Sequence, residues 1–415
     1  WFEHKLFLTA TPHNGHTSSF TGLLELLDPI RFHKKSDLTD VDRARIPQVV
    51  VRRLKSEINE LDRSRGLTPR FAVRHITPQP LYFSPAEKAL SEAMREFRRK
   101  VKKNFVSRAD KREQIAGTFA VEILNKRLLS CGWSFAESWF RLKAGAQSEP
   151  DADLGDMRAA KRAVDEDIDD DLERESREQH AAGTVGAWLK PLLEDLAPDI
   201  DQVDKALEAL GLAPDSSEPP TDDSRFDRLL QMVETELRQD DQWKSDERLI
   251  VFTEYKTTLD YLHRRLSAAY PDAASRIRLL YGGMDPPDRE ATKVAFNDPE
   301  DPVRILLATD AASEGLNLQA TARRLLHFDV PWNPSRLEQR NGRLDRHGQA
   351  RDVTVYHFAS EDDADLKFLA HVVNKVNQIR EDLGSLGELF DAAFQRRFVD
   401  EGETTTIIKD LDDEV

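Results

Sequence analysis

Residues 248–255 read RLIVFTEY, an apolar run that closes on a hydroxyl, an acid and a ring. A run of this length, too short for a helix and bounded by polar residues, predicts a strand buried on both faces. Four similar runs follow at helix-length intervals: RIRLLYGG at 276–283, VRILLATD at 303–310, RRLLHFDVPW at 323–332 and DVTVYHFA at 352–359. The segments between and after them carry helical periodicity, over 257–269, 285–296, 334–346 and 362–383. Strands alternating with helices predict an α/β domain with a doubly wound parallel sheet, spanning 248–385.

Upstream the texture differs. Residues 5–12, KLFLTATP, predict a short strand ending in a polar turn, and 17–30 a short helix stopped by Pro29. From Ser84 to about Leu142 the pattern is helical, with Ser84-Pro85-Ala86-Glu87 as a capped start and a basic run from Arg95 to Arg112. Residues 148–181 include DEDIDDDLERE (165–175), read as a mobile acidic linker or a solvated helix. APDSSEPPTDDS at 213–224 reads as a second linker. The expected organisation is 1–60, then a mainly helical insertion over 61–247, the α/β domain over 248–385, and a C-terminal helix with an acidic tail over 386–415.

The net charge of −16 argues at first against a polyanion partner. Its distribution removes the objection. Residues 1–147 carry a net +11, residues 148–247 a net −19 and residues 248–415 a net −8, so the insertion makes most of the total. Local charge governs contact with a phosphate backbone, because the Debye length is only about 8–10 Å in physiological salt. A single cysteine, Cys131, excludes an internal disulfide and any multi-cysteine metal site, and no metal is expected. No apolar run reaches the roughly 18 residues of a membrane span, so a cytoplasmic protein without membrane contact is expected.

Ligands of such a sheet bind at the carboxyl ends of its strands. The polar segments there are 253–257, 281–284, 309–318, 331–333 and QRNGRLDRHGQ at 339–349. On a continuous helix Arg340, Arg343 and Arg346 would share one face and need an anion, for which a phosphate is the natural partner. The competing reading is a solvated charged helix with Asp345 as counter-ion.

TDAASEGLNLQ (309–319) followed by DVPWNPSRLEQRNGRLDRHGQ (329–349) resembles the fifth and sixth motifs of superfamily-two helicases, in the form used by Swi/Snf-type DNA translocases. LTATP (8–12) resembles their third motif, VVVRRLKSEI (49–58) the basic block after it, and VFTEYKTTLDYL (251–262) the fourth. The HNGH after LTATP and the SEGLNLQ form are most similar to bacterial members, among them polymerase-recycling ATPases and an antiphage-system helicase.

The resemblance implies a RecA-like second lobe, a remnant of the first lobe within 1–60, ATP with Mg²⁺ as cofactors, and double-stranded DNA as partner. It implies that Arg343 and Arg346 are arginine fingers to the γ-phosphate, with Gln339, Gly315, Asn317 and Asp310 on the nucleotide side. Thr253, Lys256, Gly282, Gly283, Thr309 and Arg289 then fall where the tracking-strand phosphates lie. Thr9, Ala10 and Thr11 fall on the motif coupling ATP state to DNA contact. The sequence has no G-x-x-x-x-G-K-[ST] and no DExH box. The chain is therefore expected to be the C-terminal portion of a longer ATPase and inactive alone. Its partners would be the first lobe of the same protein and, through the acidic insertion, other proteins. The other reading is a helicase-like scaffold or binding module without motor activity, or an RNA-directed or restriction-type motor.

Overall fold

In the computed structural model the described residues are 4–8, 17–51, 55–106, 111–147, 151–166, 168–214, 216–313, 317–361, 363–378, 389–390, 392–399 and 402–414. Thr9, Ala10, Thr11 and Gly315 lie outside them.

Each of the five predicted apolar runs is a strand: Leu249–Thr253, Ile277–Leu280, Ile305–Thr309, Arg324–His327 and Val353–Ala359. A sixth strand, Arg74–Pro80, joins them, and all pairings in this sheet are parallel. In space the order is Arg74–Pro80, Val353–Ala359, Arg324–His327, Leu249–Thr253, Ile305–Thr309, Ile277–Leu280. The connection leaving Leu249–Thr253 runs to one side of the sheet and that leaving Arg324–His327 to the other. A crevice opens between their carboxyl ends, the usual ligand position of such sheets. Leu249–Thr253 and Ile305–Thr309 are buried at every position because helices cover both faces.

Arg74–Pro80, RHITPQP, falls inside the segment read as helical insertion. It lacks the apolar run of the other five. It is a strand because it sits at the sheet's edge, where a proline's missing N–H costs no ladder bond. Its register runs from Arg74 opposite Val353 to Pro80 opposite Ala359.

The capped start at Ser84 is present: the Ser84 amide donates to Glu87 Oε2 (2.8 Å) and the Glu87 amide to Ser84 Oγ (3.2 Å). The helical stretch then divides into Pro85–Val106, Lys111–Ser130 and Gly132–Gln147. The acidic segment is ordered into Leu154–Asp165 and Asp171–Leu189, neither of them linker nor freely solvated. Met157, Ala160, Ala181, Ala182 and Val185 from these two helices enter a core with Phe97, Phe135, Trp139, Leu196 and Leu207. Most of the acids line the outer faces while alanines pack inward; Asp171 is the buried exception. Gly186 and Gly145 allow the Asp171–Leu189 and Gly132–Gln147 helices to touch backbone to backbone: a methyl on Gly186 would lie 1.8 Å from the Leu142 carbonyl oxygen.

Residues 5–8 belong to no element, against the expected strand. A separate small core of Phe20, Leu24 and Phe32 gathers Leu38, Ile46, Val49 and Val50 around it. No helix among the described residues is long and apolar enough to cross a membrane.

Candidate functional site

The helical insertion docks on the carboxyl ends of the sheet strands. Arg127, on the Lys111–Ser130 helix, is fully buried and donates to Glu175 Oε1 (2.7 Å) and Glu178 Oε2 (2.6 Å). Its guanidinium lies 4.2 Å from the ring centre of Tyr255, just beyond Leu249–Thr253. Burial would lower the Arg127 pKa, but the two glutamates hold it above the ordinary arginine value. From the same helix, Ser130 Oγ donates to Asp329 Oδ2 (2.7 Å) in the crevice.

Asp329 organises that crevice. Besides Ser130 it accepts from Thr253 Oγ1 (2.6 Å) and from the Glu254 amide (2.9 and 3.1 Å). Burial pushes the Asp329 carboxyl up, with the Arg340 guanidinium opposing it. Arg340 is itself inaccessible to solvent and forks onto Asp310 at 2.5 and 2.8 Å, while Nη1 donates to the Asp329 carbonyl (2.8 Å). Burial alone would raise the Asp310 pKa, but the Arg340 guanidinium holds it below the usual carboxylate range.

This geometry corrects one expectation. The helix carrying the arginines is Pro334–Asn341 and stops before Gly342, so Arg343 and Arg346 lie on the following turns. The three arginines therefore do not share a face, and Arg340 is a buried clamp whose partner is a carboxylate. Asp310, expected on the nucleotide side, is that partner, with both carboxylate oxygens bonded to Arg340.

Asp345, read as a counter-ion to the arginines, is engaged by Lys55 Nζ (2.6 Å) and Arg74 Nη1 (3.6 Å). Lys55 precedes the insertion and Arg74 opens the edge strand, so these upstream residues buttress the arginine turn. Leu344, fully buried, anchors the turn from inside.

The structure does bring the fifth- and sixth-motif segments together. Arg346 Nη1 donates to Asn317 Oδ1, and the Leu318 amide to the Arg343 carbonyl (3.3 Å). Arg346 and Asn317 are exposed, and Arg343 and Gln339 partly so. This end of the domain presents guanidinium and amide groups to solvent beside one another, which suits an anionic ligand.

The residues expected at nucleic-acid phosphates divide into two groups. Gly282, Gly283 and Thr309 meet at the ends of the adjacent strands Ile277–Leu280 and Ile305–Thr309. Gly283 has φ +81°, which favours glycine. Thr309 is buried and donates to Asp171 Oδ2 (2.5 Å), which also accepts from the Gly282 amide (2.5 Å). Thr253, also buried, is turned to Asp329 instead. Lys256 is mostly buried, paired with Asp260 (2.5 Å) and 4.3 Å above the Tyr281 ring. Arg289 is partly exposed on Pro286–Asn297.

A cavity of about 390 Å³ opens between insertion and sheet, with Lys126, Arg174, Glu178, Glu254, Tyr255 and Arg336 among its lining residues. Trp332 stacks on Phe394 and Phe398 at 5.5 and 5.1 Å, so it packs into the domain core. Among the described residues no group of His, Cys, Asp and Glu is placed to hold a metal ion. Sequence reasoning missed Asp329, Arg340 as a clamp, Ser130 and Asp171. Only Asp171 had a signal, as part of an acidic run.

Residues 225–348 match the family model for the helicase conserved C-terminal domain. Over 146 residues the chain is 34% identical to YqhH of Bacillus subtilis (strain 168), described as an uncharacterized ATP-dependent helicase, covering 35% of this chain and 25% of that one. Over 134 residues it is 34% identical to the RNA polymerase-associated protein RapA of Vibrio cholerae (strain M66-2), covering 32% of this chain and 13% of that one. The matched region thus spans a quarter or less of these two relatives. Among solved structures, the C-terminal part of the Fun30 ATPase domain aligns with 80% of this chain and 100% of its own, at 16% identity and a TM-score of 0.44. Residues 225–348 thus carry the pattern of a helicase conserved C-terminal domain, and over this region the chain is similar to RapA and YqhH.

Proposed function

We propose that this chain is the C-terminal part of an ATP-dependent double-stranded DNA translocase, in which two lobes closing and opening over ATP shift a grip on the DNA backbone. The observation that carries this reading is the joined pair of motif segments, Arg346 on Asn317 and Leu318 on Arg343, held by Asp345 between Lys55 and Arg74. In this reading Arg343 and Arg346 meet the γ-phosphate and stabilise the charge that develops on it. Gln339 and Asn317 border the nucleotide, and Gly315 is assigned by sequence alone. ATP supplies the transferable phosphoryl group; the phosphate-cradling lysine and the Mg²⁺ ligands belong to a first lobe.

The exposed apolar side chains Leu6, Leu8, Leu26, Ile30 and Val51 supply a surface for that lobe. Gly282, Gly283 and Thr309 supply amide and hydroxyl donors for a DNA phosphate, which read backbone without sequence. An antiphage setting rests on the HNGH and SEGLNLQ forms alone.

The test is ATP hydrolysis by the full-length protein with duplex DNA, single-stranded DNA and RNA of equal length. Duplex should stimulate most, and Arg343→Ala should lower the stimulated rate by roughly 10³. Stimulated turnover unchanged in Arg343→Ala would overturn the assignment.

A further inference from the structure

The Gly282 amide and the Thr309 hydroxyl form an anion seat, and an internal carboxylate fills it. Asp171 Oδ2 accepts both bonds at 2.5 Å, while its amide donates to the Gly282 carbonyl (3.2 Å). The carboxylate is 1% exposed, and Arg174 pairs with its other oxygen. The approach is close along its whole length. A methyl on Gly282 would lie 1.9 Å from the Asp169 carbonyl oxygen, and one on Gly283 2.6 Å from the Asp170 carboxylate. Asp170 is fixed there as the N-cap of Asp171–Leu189, accepting from the Leu172 and Glu173 amides at 2.9 and 3.1 Å. The backbone of Asp169 and the carboxylates of Asp170 and Asp171 are thus fitted to a glycine turn and a threonine.

A carboxylate and a phosphodiester present the same thing to such a seat: two anionic oxygens that accept from an N–H and an O–H. We propose that residues 169–171 are a built-in mimic of a DNA phosphate, so that docking of the insertion and binding of duplex at this seat exclude each other. This rests on the nucleic-acid reading of Gly282 and Thr309. Duplex affinity is then reduced by the fraction of molecules with the seat open. Release would uncover the seat together with the Arg174 side chain now paired to Asp171.

The test is fluorescence anisotropy of a labelled 30-base-pair duplex with the full chain, together with limited trypsin digestion. Asp171→Ala should bind about tenfold more tightly, as expected if about one molecule in ten is open at rest. Asp171→Asn keeps an oxygen acceptor and guards against misfolding; it should move the same way. Asp201→Ala, an equal charge change at an exposed position on the Leu193–Ala209 helix, should change affinity less than twofold. Thr309→Val added to Asp171→Ala should abolish the gain. In the unaltered chain, duplex should speed tryptic cleavage after Arg174 and Arg177.

Unchanged affinity in both Asp171 variants, with Thr309→Val still weakening binding, refutes the mimic and leaves the nucleic-acid reading standing. A gain in Asp171→Ala that survives Thr309→Val puts the phosphate elsewhere and overturns both.

Discussion

Replacing Arg340 by alanine separates a buried clamp from a solvent-facing anion ligand. Arg340 makes two charge-assisted bonds to Asp310 and one to the Asp329 carbonyl, from a side chain with no solvent exposure. Its loss leaves two carboxylates in the crevice without their counter-charge. Removing one partner of a buried ion pair typically costs about 3–5 kcal/mol, far more than the 0–1 kcal/mol of an exposed pair. Arg340→Lys keeps a charge but not the fork, and should fall between.

Asp310 supplies a second signature. Its pKa is lowered in the folded chain, so its stabilising contribution is full above the unfolded carboxylate pKa and fades as pH falls through the folded one. The difference between Arg340→Ala and the unaltered chain should therefore shrink between pH 7 and pH 3. The assay is urea unfolding followed by circular dichroism across that range. A cost below about 1 kcal/mol with no pH dependence would refute the clamp.

His357, fully buried, has no hydrogen-bond partner for either ring nitrogen among the described residues, and burial pushes its pKa down from 6.5 to about 4. Stability should fall by about 3 kcal/mol as pH drops from 6.5 towards 4, because the unfolded chain binds the proton first. His357→Phe should flatten that part of the profile, leaving the slope due to His327, also held low by burial and Arg340. Gly186→Val forces a side chain against the Leu142 carbonyl and should cost about 3 kcal/mol or more, read as a lower unfolding midpoint of the helical core. An unaltered midpoint would mean the two helices can separate without loss.

The parts of the fold legible in sequence are those set by local pattern. Five strands announce themselves as apolar runs because both faces of the sheet are covered. Arg74–Pro80 does not, since its place depends on an edge offered by Val353–Ala359, far away in sequence. The early end of the arginine helix was readable in principle, from Gly342 at its C-terminus. The roles of Arg340 and Asp329 were not. Their partners Asp310, Thr253 and Ser130 come from other strands and from the insertion, and no local spacing encodes such a meeting. The acidic segment misled because most of its acids report the outer face of a helix, whereas Ala160, Ala181 and Val185, together with Asp171, report the buried one.

The edge strand Arg74–Pro80 also governs how the acidic turn can behave. Residues 81–248 leave one strand of the sheet and return to another, so the insertion is tied to the lobe at both ends. Once undocked, the Asp169–Asp171 turn stays near its seat at an effective concentration that tethering typically sets in the millimolar range. Any free polyanion would compete against a resident that never diffuses away. Return to the closed form would be first-order and independent of protein concentration, and its rate would be a property of this chain alone.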